Sequence, residues 1–119
     1  IDTNLFKNLV NLQRIDLSNN KLINRIDNKL FENVANLQFL SLSNNQLKEV
    51  SGDFFKSMKD LRILNLDKNS VSQIDSSLFK YLISLRFLDL NSNNLTHIEE
   101  FDFYCLKLTY LNLCMNELV

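Results

Sequence analysis

One pattern, repeated at near-constant spacing, limits this chain to a narrow set of folds. Leu37-Gln38-Phe39-Leu40-Ser41-Leu42-Ser43-Asn44-Asn45-Gln46-Leu47 has the form L-x-x-L-x-L-x-x-N-x-L. Copies start at Leu12, Leu37, Leu61, Leu85 and Leu108, so the steps are 25, 24, 24 and 23 residues. Departures within the pattern stay apolar, as at Ile15 and Val71. Self-similarity at such a period marks a solenoid, in which each repeat is one supersecondary unit. A repeat of this size cannot bury its own leucines. Stacking buries them between neighbours, and about three repeats are needed for stability.

Each position in the pattern has a physical task. The spacing of Leu37, Leu40 and Leu42 gives a short strand whose leucines point to one side. Each strand is expected to pair in parallel with its counterpart in the next repeat, so that the sheet grows along the solenoid axis. Asn20, Asn45, Asn69, Asn93 and Asn116 form a column where the chain turns inward and backbone groups lose their sheet partners. A buried amide there carries donors and an acceptor and can satisfy them. Phe6, Phe31, Phe55, Phe79 and Phe103 form a second column, expected to stack as an aromatic spine on the convex side. Each such burial contributes about 1.5–3 kcal/mol.

The chain divides accordingly. Residues 1–11 are the back half of a repeat, with Ile1, Phe6 and Leu9 in the places of Ile74, Phe79 and Leu82. Ile1, in mid-repeat, reads as the start of a mature or excised segment. Full repeats run over 12–36, 37–60, 61–84 and 85–107, and a partial repeat covers 108–119. Repeat one has an extra residue, assigned to a loop around Ile23-Asn24, where an insertion costs little. Repeat four is a residue short, between Leu106 and Leu108. Both ends expose core leucines, so the isolated chain is expected to self-associate or to fray at the fifth repeat.

Composition narrows the function classes. Hydrophobic residues are 45% of the chain, enough to build a core. A formal net charge of -1 provides no basic footprint for nucleic acid. No apolar run approaches the roughly 18 residues of a membrane span, so this segment is expected to make no membrane contact. No signal peptide is expected within these residues. Proline is absent and Gly52 is the one glycine, which leaves no linker to divide the chain. There is no nucleophile elbow, phosphate loop or paired-carboxylate motif. His97, the sole histidine, has no cysteine or carboxylate partner set by spacing. Asp16 and Asp89 share a column but lie about 14 Å apart at about 4.8 Å per strand step, too far for a shared proton. No enzymatic activity, cofactor or metal site is therefore expected.

These residues resemble the typical leucine-rich repeats of extracellular animal proteins. The consensus L-x-x-L-x-L-x-x-N-x-L-x-x-I-x-x-x-x-F-x-x-L-x-x is matched from Leu61, with Ile74, Phe79 and Leu82 in place, and the resemblance covers nearly the whole chain. The chain is similar to segments of Toll-like receptor ectodomains, Slit-type guidance proteins and secreted insect immune repeat proteins. The resemblance implies an α/β solenoid, a leucine-rich-repeat horseshoe with a concave parallel β-sheet and an irregular or 3-10 convex side. It further implies a secreted or cell-surface recognition module, in innate immunity or as a receptor. Its partners would be a protein ligand or co-receptor, and the flanking repeats or caps of a longer parent chain. The alternative is an intracellular scaffold or a purely structural spacer. The chain departs from the family where the cysteine-rich caps are missing. It also departs at Asp102, which stands where Leu5, Leu30, Phe54 and Leu78 stand, with an aromatic moved to Phe101. Cys114 and Met115 replace a polar pair, so an irregular repeat is expected near 101–115.

Strand residues between the core leucines point to the concave face. One column there is Arg14, Phe39, Ile63, Phe87 and Tyr110. Aromatics and arginine dominate interface hot spots, but neighbours in such a column also pack on each other and steady the sheet. The next column, Asp16, Ser41, Asn65, Asp89 and Asn112, is polar. Gln13, Gln38, Arg62 and Arg86 form another. A polar rim around an apolar stripe suits a protein ligand. Asn94-Leu95-Thr96 is an N-glycosylation acceptor. Cys105 and Cys114 are nine residues apart and flank an expected strand, too distant to bridge each other. They read either as small semi-buried residues or as disulfide partners of cysteines outside the segment or in another chain.

Overall fold

The computed structural model describes residues 1–98 and 107–119. Phe101, Asp102, Phe103, Cys105 and Leu106, on which several expectations fall, lie outside the described residues. The described strands are β1 (Arg14–Asp16), β2 (Ile23–Asn24), β3 (Phe39–Ser41), β4 (Gln46–Leu47), β5 (Ile63–Asn65), β6 (Phe87–Asp89) and β7 (Tyr110–Asn112). One sheet has the order β1-β3-β5-β6-β7, with every neighbouring pair parallel. Each repeat therefore contributes one strand, and the sheet grows along the solenoid.

Adjacent repeats are joined by the same bonds each time. The Gln13 carbonyl accepts from both Gln38 and Phe39 N–H, at 2.8 and 3.0 Å. The Gln38, Arg62 and Arg86 carbonyls do the same for the residue just before the strand and the first strand residue of the next repeat. Behind the sheet, Leu37, Leu40, Leu42, Leu61, Leu64, Leu66, Leu85, Leu88 and Leu90 are at most 1% exposed. The core is thus a stack of leucine layers, each closed by its neighbours.

The asparagine column works as its chemistry requires. Asn69 Nδ2 donates to Leu42 O and Leu66 O at 3.0 Å and to Asp67 O at 3.2 Å, while Oδ1 accepts from Leu47 N at 3.1 Å. Asn45 and Asn93 repeat this arrangement. Each amide bonds its own turn and the turn of the preceding repeat. Asn20 departs from the expected burial: it is exposed and bonds only Leu17 O and Ser18 O of its own turn. No strand precedes β1 in the sheet to supply the other half.

The convex side corrects two expectations. Ile23-Asn24 is not a loop; it is β2, paired in parallel with β4 in a second, two-stranded sheet. Asn24 takes a left-handed φ of 65°, a conformation asparagine tolerates. Its carbonyl accepts from Lys48 N at 2.7 Å and Glu49 N at 3.2 Å, so the extra residue is absorbed by pairing. The aromatic spine is not one phenylalanine per repeat. Phe6 stacks on Phe31 at 5.7 Å, but Phe31 then meets Phe54 edge-on at 4.7 Å, and Phe54 meets Phe55. Phe54 stands where repeats one and three have Leu30 and Leu78, and its ring reaches into the gap.

Short helices carry Phe31, Phe54, Phe55 and Phe79: 3-10 turns over Asn28–Phe31 and Gly52–Phe55, and α1 (Ser77–Tyr81). Asp27 and Ser51 cap the two 3-10 turns by accepting from Lys29 N and Asp53 N. Gly52 sits against the next repeat, where a Cβ would lie 2.6 Å from Ser77 C and 2.8 Å from Leu78 N. Asp75 Oδ1 accepts from Ser77 N at 2.9 Å. The backbone and hydroxyl of Ser77 lower the Asp75 carboxyl pKa, burial opposes, and the Gly52 backbone adds to the lowering.

Candidate functional site

Parallel register turns the sequence column into a physical row. Arg14, Phe39, Ile63, Phe87 and Tyr110 are successive strand partners across the concave sheet. Phe39, Ile63 and Phe87 are half-buried, and Arg14 and Tyr110 are exposed at the two ends. The row packs on itself at both ends. The Arg14 guanidinium lies 3.5 Å from the centre of the Phe39 ring. The Phe87 and Tyr110 rings stack at 4.2 Å with 3° between their planes. Such contacts fix the rings with little remaining rotamer freedom, and they also use part of their surface.

The polar column has a structural task that its sequence pattern had not revealed. Asp16, Asn65, Asp89 and Asn112 each accept, through Oδ1, the backbone N–H two residues on, and Ser41 Oγ does so at 3.5 Å. These are Asx- and Ser-turns that bend the chain out of the strand. The signal was available as Asp, Asn or Ser directly at the strand end in all five copies. Asp16 also accepts from Ser18 Oγ at 2.6 Å and meets Arg14 at 3.6 Å. The Ser18 hydroxyl and then its N–H lower the Asp16 pKa, burial opposes, and the Arg14 charge adds to the lowering. One oxygen of Asp16 is thus committed to the fold. At the other edge of the row, Arg62 and Arg86 are exposed, and Arg86 Nη1 donates to Lys107 O at 3.1 Å.

The profile of the BspA type leucine rich repeat region matches residues 1–118 in six copies. The chain belongs to this leucine-rich-repeat family. No curated protein matches it by sequence. Among solved structures, this leucine-rich-repeat chain superposes on the TLR13–ssRNA13 complex with a TM-score of 0.88 and 34% identity over 98% of its length. On the leucine-rich repeat domain of APL1B the values are 0.89 and 28% over 99%. On the Toll–Spatzle complex, a hub in Drosophila development and innate immunity, they are 0.90 and 31% over 98%. The chain spans 16%, 34% and 17% of those three chains. The leucine-rich-repeat solenoid is therefore an architecture shared with TLR13, APL1B and Toll.

The remaining candidates lie off the concave face. Asn94 is exposed on the flank, its N–H bonded to Val71 O at 2.9 Å, so the side chain is open to solvent. Cys114 is exposed and free. Among the described residues there is no cluster of metal-ligating side chains, and no helix is long and apolar enough to cross a membrane.

Proposed function

We propose that this chain is a non-enzymatic recognition segment of a secreted or cell-surface leucine-rich-repeat protein, of innate-immune or receptor type, with a protein ligand on its concave face. The observation that carries the reading is the row Phe39, Ile63 and Phe87. These apolar side chains run without a break across a rigid sheet whose other outward positions are polar. Buried aromatic anchors ringed by polar groups are where binding energy concentrates. TLR13 and Toll, similar in fold, are seen with an RNA and a protein ligand respectively. Here a net charge of -1 and a face carrying both arginine and aspartate favour a protein. Arg62, Arg86, Asp16 and Asp89 would form its polar rim. Asn94 would carry the glycan of a secreted chain, and Cys114 would pair with a cysteine beyond the segment.

A second reading, a structural spacer, draws support from the Arg14–Phe39 and Phe87–Tyr110 contacts, in which the row stabilises the sheet. The deciding experiment is a pull-down with the parent protein from its native extracellular fluid. Wild type is compared with Phe39→Asp plus Phe87→Asp, both shown to be equally folded. Loss of a specific captured protein supports recognition by the row. Unchanged capture overturns it in favour of the spacer.

A further inference from the structure

Repeats one and two enclose a small apolar cavity beside β2 and β4, and no residue of the concave row lines it. Its walls are Ile26, Leu42, Leu47, Val50 and Phe54, and its volume is about 70 Å³. Leu42, Leu47, Val50 and Phe54 are buried and Ile26 is half-buried. Two departures from the regular repeat meet there. Val50 is a methylene shorter than Ile26, Ile74 and Ile98 at the same place. Phe54 replaces a leucine, and its ring meets Phe31 edge-on.

The rim of this cavity carries both charges. Arg25 directly precedes Ile26 and Glu49 directly precedes Val50, so the two flank one opening from adjacent repeats. Both are exposed, and neither side chain has a hydrogen bond or ion pair among the described residues. The next two repeats have Gln73 and His97 at that place, so this junction alone sets arginine beside glutamate. Water gains little inside, because apolar walls offer it no partners. An apolar cavity of about 150 Å³ takes benzene, and one of about half that size takes three or four carbons.

We propose that this cavity binds a free α-amino acid with a short branched side chain, valine or leucine. The side chain enters between the apolar walls, the α-carboxylate meets the Arg25 guanidinium, and the α-ammonium meets Glu49. A guanidinium suits the carboxylate because its parallel N–H groups donate to both oxygens. Exposed ion pairs contribute little each, so the buried side chain supplies most of the affinity and the two charges select the zwitterion. Together these contributions correspond to a dissociation constant on the order of 1 mM. The site is independent of recognition on the concave face.

The test titrates L-leucine into the parent protein and follows it by saturation-transfer NMR. Glycine, isovalerate and isopentylamine are the comparisons, lacking in turn the side chain, the ammonium and the carboxylate. Expected is saturable transfer to the leucine methyl groups, binding at least about threefold weaker for isovalerate and isopentylamine, and none for glycine. Arg25→Gln and Glu49→Gln, both at exposed positions, should each weaken leucine by a similar factor. Val50→Ile supplies the residue of the neighbouring repeats and narrows the cavity, so it should weaken leucine at least about threefold with the unfolding midpoint kept or raised. Absence of saturable leucine binding up to about 20 mM overturns the proposal. So does isovalerate or glycine binding as tightly as leucine, or an unchanged leucine affinity in folded Val50→Ile.

Discussion

Asn69→Ala isolates one buried donor. Its three carbonyl partners all keep another bond after truncation: Leu42 O retains Asn45, Leu66 O retains Asn93, and Asp67 O retains Asn44 N–H. Leu47 N–H is different, because Asn69 Oδ1 is the acceptor it faces and Leu47 is 1% exposed. The cost is therefore that of one stranded buried N–H, about 1–3 kcal/mol. At about 4 °C per kcal/mol for a chain of this size, the melting temperature falls by about 4–12 °C. Asn20→Ala is the control, since its exposed amide bonds only its own turn. It should cost less than about 0.5 kcal/mol, as exposed substitutions usually do. Asn69→Asp keeps the acceptor for Leu47 but turns carboxylate oxygen toward three carbonyls, and at neutral pH it should cost more than alanine. Urea titrations of the parent protein, followed by circular dichroism, measure all three variants. If Asn69→Ala and Asn20→Ala differ by less than about 0.5 kcal/mol, the ladder reasoning is wrong.

Four further outcomes can be measured, three of them by unfolding and one by sedimentation. Gly52→Ala places a methyl against the Ser77 and Leu78 backbone and should cost about 1–3 kcal/mol in a urea titration. Lys68 has a left-handed φ of 53°, where Asn19 and Asn44 stand in repeats one and two; Lys68→Asn should raise the unfolding midpoint, by about 0.5–1 kcal/mol. The lowered Asp75 pKa contributes stability that is complete above the ordinary carboxylate value and lost as pH falls through the depressed one. Asp75→Asn should flatten the pH dependence of stability in that acid window and nowhere above it. Leu111 and Leu118 are 39% and 41% exposed at the last repeat, so sedimentation of the isolated chain should show association, and Leu111→Lys should reduce it.

Much of this fold is legible because its determinants are local and periodic. Leu40, Leu64 and Leu88 announce the strand core, and Asn45, Asn69 and Asn93 announce the turn ladder, since one task recurs at one position. Register follows from the same period, which is why Arg14 through Tyr110 could be placed in one row. What escaped the sequence reading depends on particular neighbours. Phe54 displaces the regular spine because an aromatic ring reaches where a leucine does not. Asn24 pairs instead of looping because asparagine accepts a left-handed φ beside a waiting strand edge. The polar column looked free for a ligand, yet Asp16, Asn65 and Asp89 spend one oxygen each on a turn, a local bond that periodicity cannot display. Of the concave surface, the sequence disclosed which side chains face out; it could not disclose how Arg14 and Phe39, or Phe87 and Tyr110, would pack.

The joints between repeats consist of identical bonds, and that makes the gene modular. Deleting or duplicating one whole period, cut at any matching point, rejoins faces that already fit, because each repeat bonds only to its neighbours. Such a protein can change length by recombination without passing through a misfolded ancestor. A change of a single residue needs a specific accommodation, and repeat one shows what that takes: a left-handed asparagine and a new pair of short strands. Growth by whole periods is thus the easy route for this chain's evolution, and it alters the reach and curvature of the concave surface while leaving its chemistry, row by row, intact.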